Sequence, residues 1–237
     1  MNCTIKSPLE ASKSTCEKDD FFTAYPLREW ALVKRIIQIA KDDICGELCS
    51  LRFTWQKPKK NADSEEVFFF NTLAGLIDVA WIIADSPLKV LHIERVPNKN
   101  NLFALAMFEN EVVAELELNE CLPDSMPATH FIKANFQNGH VTNQPVVGHF
   151  NEEGAMLATD SEMRRIVIEN SEWCDCGDEI ELCQRAMEYA ILKGKFPSGR
   201  LNSLEIITAI RCAFEYGTYS AEKMKKSEVL NLIRKAV

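Results

Sequence analysis

The amino-acid sequence predicts an α+β domain in which an open, mainly antiparallel sheet carries helices on one face. Three observations lead there. A succession of extended segments between residues 90 and 147 is separated by short connections rich in Asn, Pro and Gly. Apolar residues at helical spacing precede that run, at residues 30–40 and 71–84, and follow it at residues 203–216. The strands are flanked by helices rather than alternating with them, which argues against a doubly wound parallel sheet.

Residues 1–20 are polar and end in Glu17, Lys18, Asp19 and Asp20, so they read as an arm or short helix ahead of a domain spanning residues 21–237. Trp30, Leu32, Val33, Ile36, Ile37, Ile39 and Ala40 recur at helical spacing, and residues 42–46 supply the stop. Over residues 48–55, Cys49, Leu51, Phe53 and Trp55 alternate with Leu48, Ser50, Arg52 and Thr54, the pattern of a strand with one buried face. Pro58 and a charged loop end it. The aromatic run Phe68, Phe69, Phe70 then leads into an apolar helix over residues 71–84.

Extended segments follow at 90–96, 102–108, 112–121, 130–136 and 140–147, joined by PNKN, ENE, PDSMP and QNG. Such short connections predict antiparallel pairing of neighbours as a meander. Residues 109–111 make a hairpin turn without a glycine, whereas Asn138 and Gly139 form a dipeptide favoured in hairpins. Residues 163–169 offer one more strand. Helices over 179–193, 203–216 and 220–235 complete the chain, with Ser203 and Ser220 at starts and Gly194 and Gly217 at stops.

Composition removes several classes of function. At 237 residues and 46% hydrophobic content the chain can bury a sizeable core. A net charge of −8, from 35 acidic and 27 basic residues, repels nucleic acid, so no such partner is expected. The longest apolar stretch, residues 73–83, contains Asp78 and is about half of the roughly 20 residues a membrane span needs. No membrane partner is expected either. The opening segment MNCTIKSPLEASKSTCEKDD lacks the apolar run of a secretory signal, which points to a cytoplasmic protein.

Nine cysteines, an odd number scattered over the chain, suit reduced thiols better than a disulfide framework. The spacings of Cys174, Cys176 and Cys183, and of Cys45 and Cys49, differ from the two-residue separation that turns paired sulfurs toward one zinc ion. No metal is expected. His92, His130, His140 and His149 also lack metal-ligand spacing, although His130 and His140 flank one hairpin and could approach each other. There is no nucleophile elbow and no phosphate loop.

The segment over residues 71–78, NTLAGLID, carries the most functional information. Around it stand IKSPLEAS, ICGELCSLRFTW, LFALAMFENEVVAELELN, KANFQNGHV and LNSLEIITAIRCAFEYG, in that chain order with the motif after the second. Taken together these segments resemble the C-terminal domain of the Gfo/Idh/MocA oxidoreductases, the glucose-fructose oxidoreductase and inositol dehydrogenase family. IKSPLEAS resembles the family's EKP segment, which closes its nucleotide-binding domain. ICGELCSLRFTW resembles the turn and first strand of the second domain. The remaining three resemble a strand pair, a later hairpin and the closing helix.

The resemblance implies a catalytic segment of the form D-x-G-x-H-x-x-D, whose histidine exchanges a proton with the substrate hydroxyl during hydride transfer. Aligned on this sequence, the first Asp falls on Asn71, the Gly on Leu73, the His on Gly75 and the last Asp on Asp78. A glycine has no titratable group and cannot serve as acid or base. Lys6 corresponds to the EKP lysine, with Ile5 and Ser7 in place of Glu and Pro. Lys6 and Asp78 are therefore weak catalytic candidates, and Asp78 and Asn71 are the ligand-binding candidates. Asp78 equally suits a capping or buried structural carboxylate, and Lys6 a solvated arm residue.

No GxGxxG or related glycine cluster occurs, and only four residues stand ahead of Ile5, so autonomous NAD(P) binding is not expected. NAD or NADP would enter only if a partner chain supplied the nucleotide-binding domain. In the family the open sheet face commonly buries itself against a second copy, which implies a homodimer. Three readings follow: a non-catalytic, oligomer-forming relic or repurposed domain; a half-enzyme completing an NAD(P)-dependent sugar or polyol dehydrogenase with a separate chain; or a binding protein for a small sugar-like ligand.

Overall fold

The computed structural model describes residues 4–13, 21–23, 25–58, 65–96, 100–144, 155–159, 163–166 and 200–224. Near the N-terminus, strand β1 (Thr4–Lys6), helix α1 (Pro8–Lys13) and strand β2 (Phe21–Thr23) form a small unit in which the two strands run parallel. Thr4 lies opposite Phe21 and Lys6 opposite Thr23. The start of α1 is written in its sequence. Ser7 Oγ accepts from the Glu10 amide at 3.3 Å, Glu10 Oε2 accepts from the Ser7 amide at 2.8 Å, and Pro8 takes the first helical position. The polar arm thus contains a short helix, but it is not wholly outside the core. Leu9 is buried in the main apolar cluster.

A 3-10 helix, Pro26–Glu29, leads through Trp30 into α2 (Ala31–Lys41), which buries Leu32, Val33, Ile36 and Ile39. The expected stop is real: Asp43 takes φ 53° and Gly46 φ 73°, conformations that cannot continue a right-handed helix. Helix α3 (Glu65–Ala84) starts earlier than the sequence suggests, and the aromatic run lies inside it. Phe68, Phe69 and Phe70 are all buried, as are Leu73, Ala74, Leu76 and Ile77. A helix that is apolar on every side has no stripe to mark its beginning.

The main sheet contains β3 (Leu48–Pro58), β4 (Leu88–Val96), β5 (Asn101–Phe108), β6 (Val113–Leu122), β7 (Thr129–Phe136), β8 (Gly139–Thr142), β9 (Ala155–Thr159), β10 (Met163–Ile166) and β11 (Thr218–Ser220). Their order is β10-β9-β8-β7-β3-β6-β5-β4-β11. The meander forms on either side of the centre, but β6 and β7 are not neighbours. Strand β3 lies between them, parallel to β6 and antiparallel to β7. Residues 123–128 make this possible, since the jump across one intervening strand is about 10 Å. Pairing by shortest connection therefore failed at one point, where a partner came from earlier in the chain. Strand β9 carried no recognisable signal.

Two turns refine the sequence reading. Phe136 pairs with Gly139, so the residues at the tip are Gln137 and Asn138, one position earlier than the Asn-Gly dipeptide suggests. Their amides donate to Glu47 O at 3.0 Å and Cys45 O at 2.9 Å, tying the hairpin to the loop before β3. At the β5–β6 hairpin Glu111 supplies φ 69° in place of a glycine.

Helix α4 (Arg200–Tyr216) ends at Gly217, whose φ is 76°. Residues 221–224 are again helical, while the rest of the expected helix at 220–235 and all of the one at 179–193 lie outside the described residues. Helix α3 packs on the sheet face carrying Leu51, Phe53, Trp55, Ala104, Leu116 and Leu118, with α2 and α4 beside it. The other face presents Arg52, Phe103, Leu105, Glu115 and Glu117, and there Phe103 is 44% and Leu105 42% exposed. The architecture is the α+β arrangement expected: an open, mainly antiparallel sheet with helices on one side.

Candidate functional site

At about 100° of rotation per residue, Asn71, Gly75 and Asp78 fall within a sector of roughly 60° on α3. The fold brings these three positions together and gives each an internal partner. Asn71 Oδ1 accepts from the Leu9 amide at 2.8 Å. That amide belongs to the first turn of α1, where no intrahelical acceptor exists. Asn71 thus anchors the N-terminal unit to α3.

At Gly75 the missing side chain is used for packing. A Cβ built there would stand 3.3 Å from Leu27 Cδ1, so the 3-10 helix Pro26–Glu29 approaches α3 closely at the position where the sequence resemblance implied a histidine. Leu27 itself is buried. The space in which an imidazole would act holds an aliphatic side chain from the same protein.

Asp78 is fully buried. Arg28, the next residue of the 3-10 helix, donates from Nε to Oδ2 at 2.6 Å and from Nη2 to Oδ1 at 2.5 Å. This is the two-pronged geometry in which a guanidinium satisfies a carboxylate best. Burial pushes the Asp78 carboxyl above its usual range, and the hydrogen bonds and charge of Arg28 pull it part of the way back. Burial acts to lower the Arg28 pKa, but the hydrogen bond and charge of Asp78 carry it above its ordinary value. The guanidinium also lies over the Tyr25 ring, 5.6 Å from its centroid.

Arg28 escaped notice in the sequence. An acid on an apolar helix calls for a cation, but the partner lies 50 positions away and only the fold selects it. Lys6 is placed in β1 opposite Thr23, and its side chain lies outside the described residues. His130 and His140 are not brought together. His130 packs against Trp55 with the rings tilted 33° and their centroids 3.9 Å apart, on the helix-covered face. His140 pairs with Asn135 on the other face, where burial and the charge of Lys133 lower its pKa. Cys174, Cys176 and Cys183 lie outside the described residues, and among those described no group of three His, Cys, Asp or Glu side chains is placed to hold a metal. Among the described residues no helix is long and apolar enough to cross a membrane.

The fit of a nicotinamide dinucleotide can be examined where β1 runs into α1. A pyrophosphate at such a junction needs free amides and close backbone approach. Here the connection is Ser7 and Pro8, with no glycine, and the amides of Leu9 and Glu10 already donate to Asn71 and Ser7. The residues at this junction do not fit the group.

No protein-family model and no curated protein matches the sequence. Solved structures match its fold. An oxidoreductase from Agrobacterium radiobacter, crystallised with NAD+, L-tartaric acid and magnesium, superposes with a TM-score of 0.70 at 14% identity, covering 94% of this chain and 73% of that protein. An oxidoreductase domain protein from Kribbella flavida gives 0.61 at 11% identity, over 84% of this chain and 65% of that one. Aldose-aldose oxidoreductase from Caulobacter crescentus, complexed with glycerol, gives 0.59 at 11% identity, over 84% and 63%. The chain thus spans less than two thirds of the last two proteins. These neighbours are oxidoreductases by name, and the likeness shows the fold, the α+β arrangement expected from the sequence.

Proposed function

We propose that this protein is a non-catalytic, oligomer-forming domain built on an oxidoreductase fold, without NAD(P) binding of its own. One observation carries the reading: Asn71, Gly75 and Asp78, which share one face of α3, are all committed to the protein's own structure. Asn71 holds the Leu9 amide, Gly75 receives Leu27, and Asp78 is buried against Arg28. Acid–base work needs a titratable group within reach of a substrate proton. Here position 75 has none, and both Asp78 oxygens accept from Arg28.

In this reading the protein assembles through the open sheet face, as a homodimer. Phe103 and Leu105 are exposed there, flanked by the Arg52–Glu115 pair and by Glu117, around a groove of about 460 Å³. Exposed apolar side chains ringed by charge suit association better than isolated solubility. The reading takes residues 21–237 as one domain in the cytoplasm, with residues 1–20 as an arm docked on it through Leu9. Thermal melting with NAD(H) or NADP(H) tests the cofactor part, for which no shift is expected; a saturable shift refutes it. Light scattering tests the dimer, with Phe103→Asp expected to give monomer. A monomeric parent at micromolar concentration refutes that part.

The half-enzyme reading draws on a separate observation, the parallel pairing of β1 and β2 joined by α1. Parallel strands normally belong to larger, covered sheets, and a partner chain with a nucleotide-binding sheet could extend this pair. Under that reading NAD(H) stabilises the protein only after the partner chain is added. A sugar-like ligand anchored on Asp78 would have to displace Arg28, so its binding would vanish in Asp78→Ala and strengthen in Arg28→Ala.

A further inference from the structure

A cleft of about 580 Å³ opens between α1, α3, α4 and the end of β4. Phe69 and Phe70 are its buried wall, and Phe70 stacks on the half-buried Phe214 with ring centroids 6.2 Å apart. Three cationic side chains converge on the rim from three different elements: Lys13 from α1, Arg95 from β4 and Arg211 from α4. Glu215 is the one carboxylate among the described lining residues. Arg95 and Arg211 keep partners within the protein, which hold them at this aromatic-walled opening, and the five N–H donors of a guanidinium leave capacity for a further oxyanion.

We infer that this cleft binds a small amphipathic anion: a planar or aromatic body against the phenylalanines, with a carboxylate, sulfonate or phosphate head among Lys13, Arg95 and Arg211. The volume falls in the usual range for small-molecule sites, which combine apolar walls with a few convergent polar groups. Arg95 already lies over the Phe69 ring, 5.6 Å from its centroid, so the cation is placed at the edge of the aromatic wall rather than directed away from it. Arginine suits the role because its planar fork recognises oxyanions with two hydrogen bonds.

This site is separate from the α3 segment discussed above. Helical rotation places Phe69 about 160° and Phe70 about 100° from Asn71, on other sides of α3. The inference therefore does not depend on whether the Asn71–Asp78 face is silent.

The probe is naphthalene-1-sulfonate, titrated into the full chain by calorimetry, with naphthalene-1-methanol and inorganic sulfate as controls for body and head alone. The sulfonate is expected to bind and to weaken with added salt, with each control weaker by about tenfold or more. Arg211→Gln is expected to reduce its affinity by about tenfold while leaving the melting temperature near that of the parent, and Phe214→Ala to reduce affinity by a similar factor with a lower melting temperature, since it also removes the ring stacked on Phe70. Arg52→Gln, on the open sheet face, should leave affinity unchanged. The inference fails if the sulfonate does not bind, if the neutral alcohol binds equally well, or if Arg211→Gln and Arg52→Gln have the same effect.

Discussion

Removing Arg28 should destabilise this protein more than its 13% exposed side chain suggests, because the cost arises at Asp78. Arg28→Ala leaves a fully buried carboxylate without either of its two charge-assisted donors. Breaking a buried pair from one side costs about 3–5 kcal/mol. For a chain of this size each kcal/mol lowers Tm by about 2–4 °C, so the expected drop is roughly 6–20 °C. Asp78→Asn should cost less, about 1–3 kcal/mol, because it removes the buried charge and leaves Arg28 able to reach water.

The pH dependence gives a sharper test. With Arg28 gone, the folded pKa of Asp78 stands still further above its unfolded value, since the opposing interaction has been removed. The folded state then binds more protons than the unfolded state between those two values, and stability falls as pH rises through that window. The Arg28→Ala deficit should consequently be largest at neutral pH and shrink on acidification. Adding Asp78→Asn to Arg28→Ala should recover stability at neutral pH and flatten the profile. Denaturant melts across pH supply the measurement. A neutral-pH deficit below about 1 kcal/mol, or one of constant size at every pH, would refute a dry ion pair at this position.

Three further substitutions address the same architecture. Gly75→His forces a ring against Leu27 and should lower stability by about 1–3 kcal/mol, without producing NAD(P)-dependent turnover; activity in that variant would show that only the histidine had been lacking. Asn71→Ala removes the acceptor for the Leu9 amide and should cost about 1 kcal/mol, with faster amide exchange over residues 4–13. Glu111→Gly relieves the left-handed residue of the β5–β6 hairpin and should raise stability by about 1 kcal/mol, read as a higher denaturant midpoint with an unchanged slope.

The elements that could be read from the sequence were those whose periodicity reports a single boundary. Helix α2 has an apolar stripe, and its stop at Asp43 to Gly46 follows from residues tolerant of positive φ. Strand β3 alternates because helices cover only one side of it. The start of α3 was hidden because Phe68, Phe69 and Phe70 are buried alike, so pattern could not separate helix from approach. Sheet order was legible where neighbours are joined by short turns. It failed at β3, where the partner is chosen by packing rather than proximity. At the candidate site, the sequence showed that Gly75 lacks a titratable group, but not that Leu27 fills the space. It left Asp78 open between structure and ligand, a choice that depends on Arg28 reaching it from another element.

The position of β3 also affects how the chain must be made. Arg52 meets Glu115 across 63 positions, and Ser50 meets Asn135 across 85. The hairpins on either side can close locally, whereas the central strand must wait for both neighbours. At a translation rate of about 5–20 residues per second, the 63-residue delay before β6 is available corresponds to roughly 3–13 s. During that interval Leu51, Phe53 and Trp55 have no sheet to enter, although α2 and α3 have room to form. Yield should therefore depend on elongation speed and on chaperone holding of this early strand, and slowing synthesis within residues 59–122 should prolong its exposure and favour aggregation.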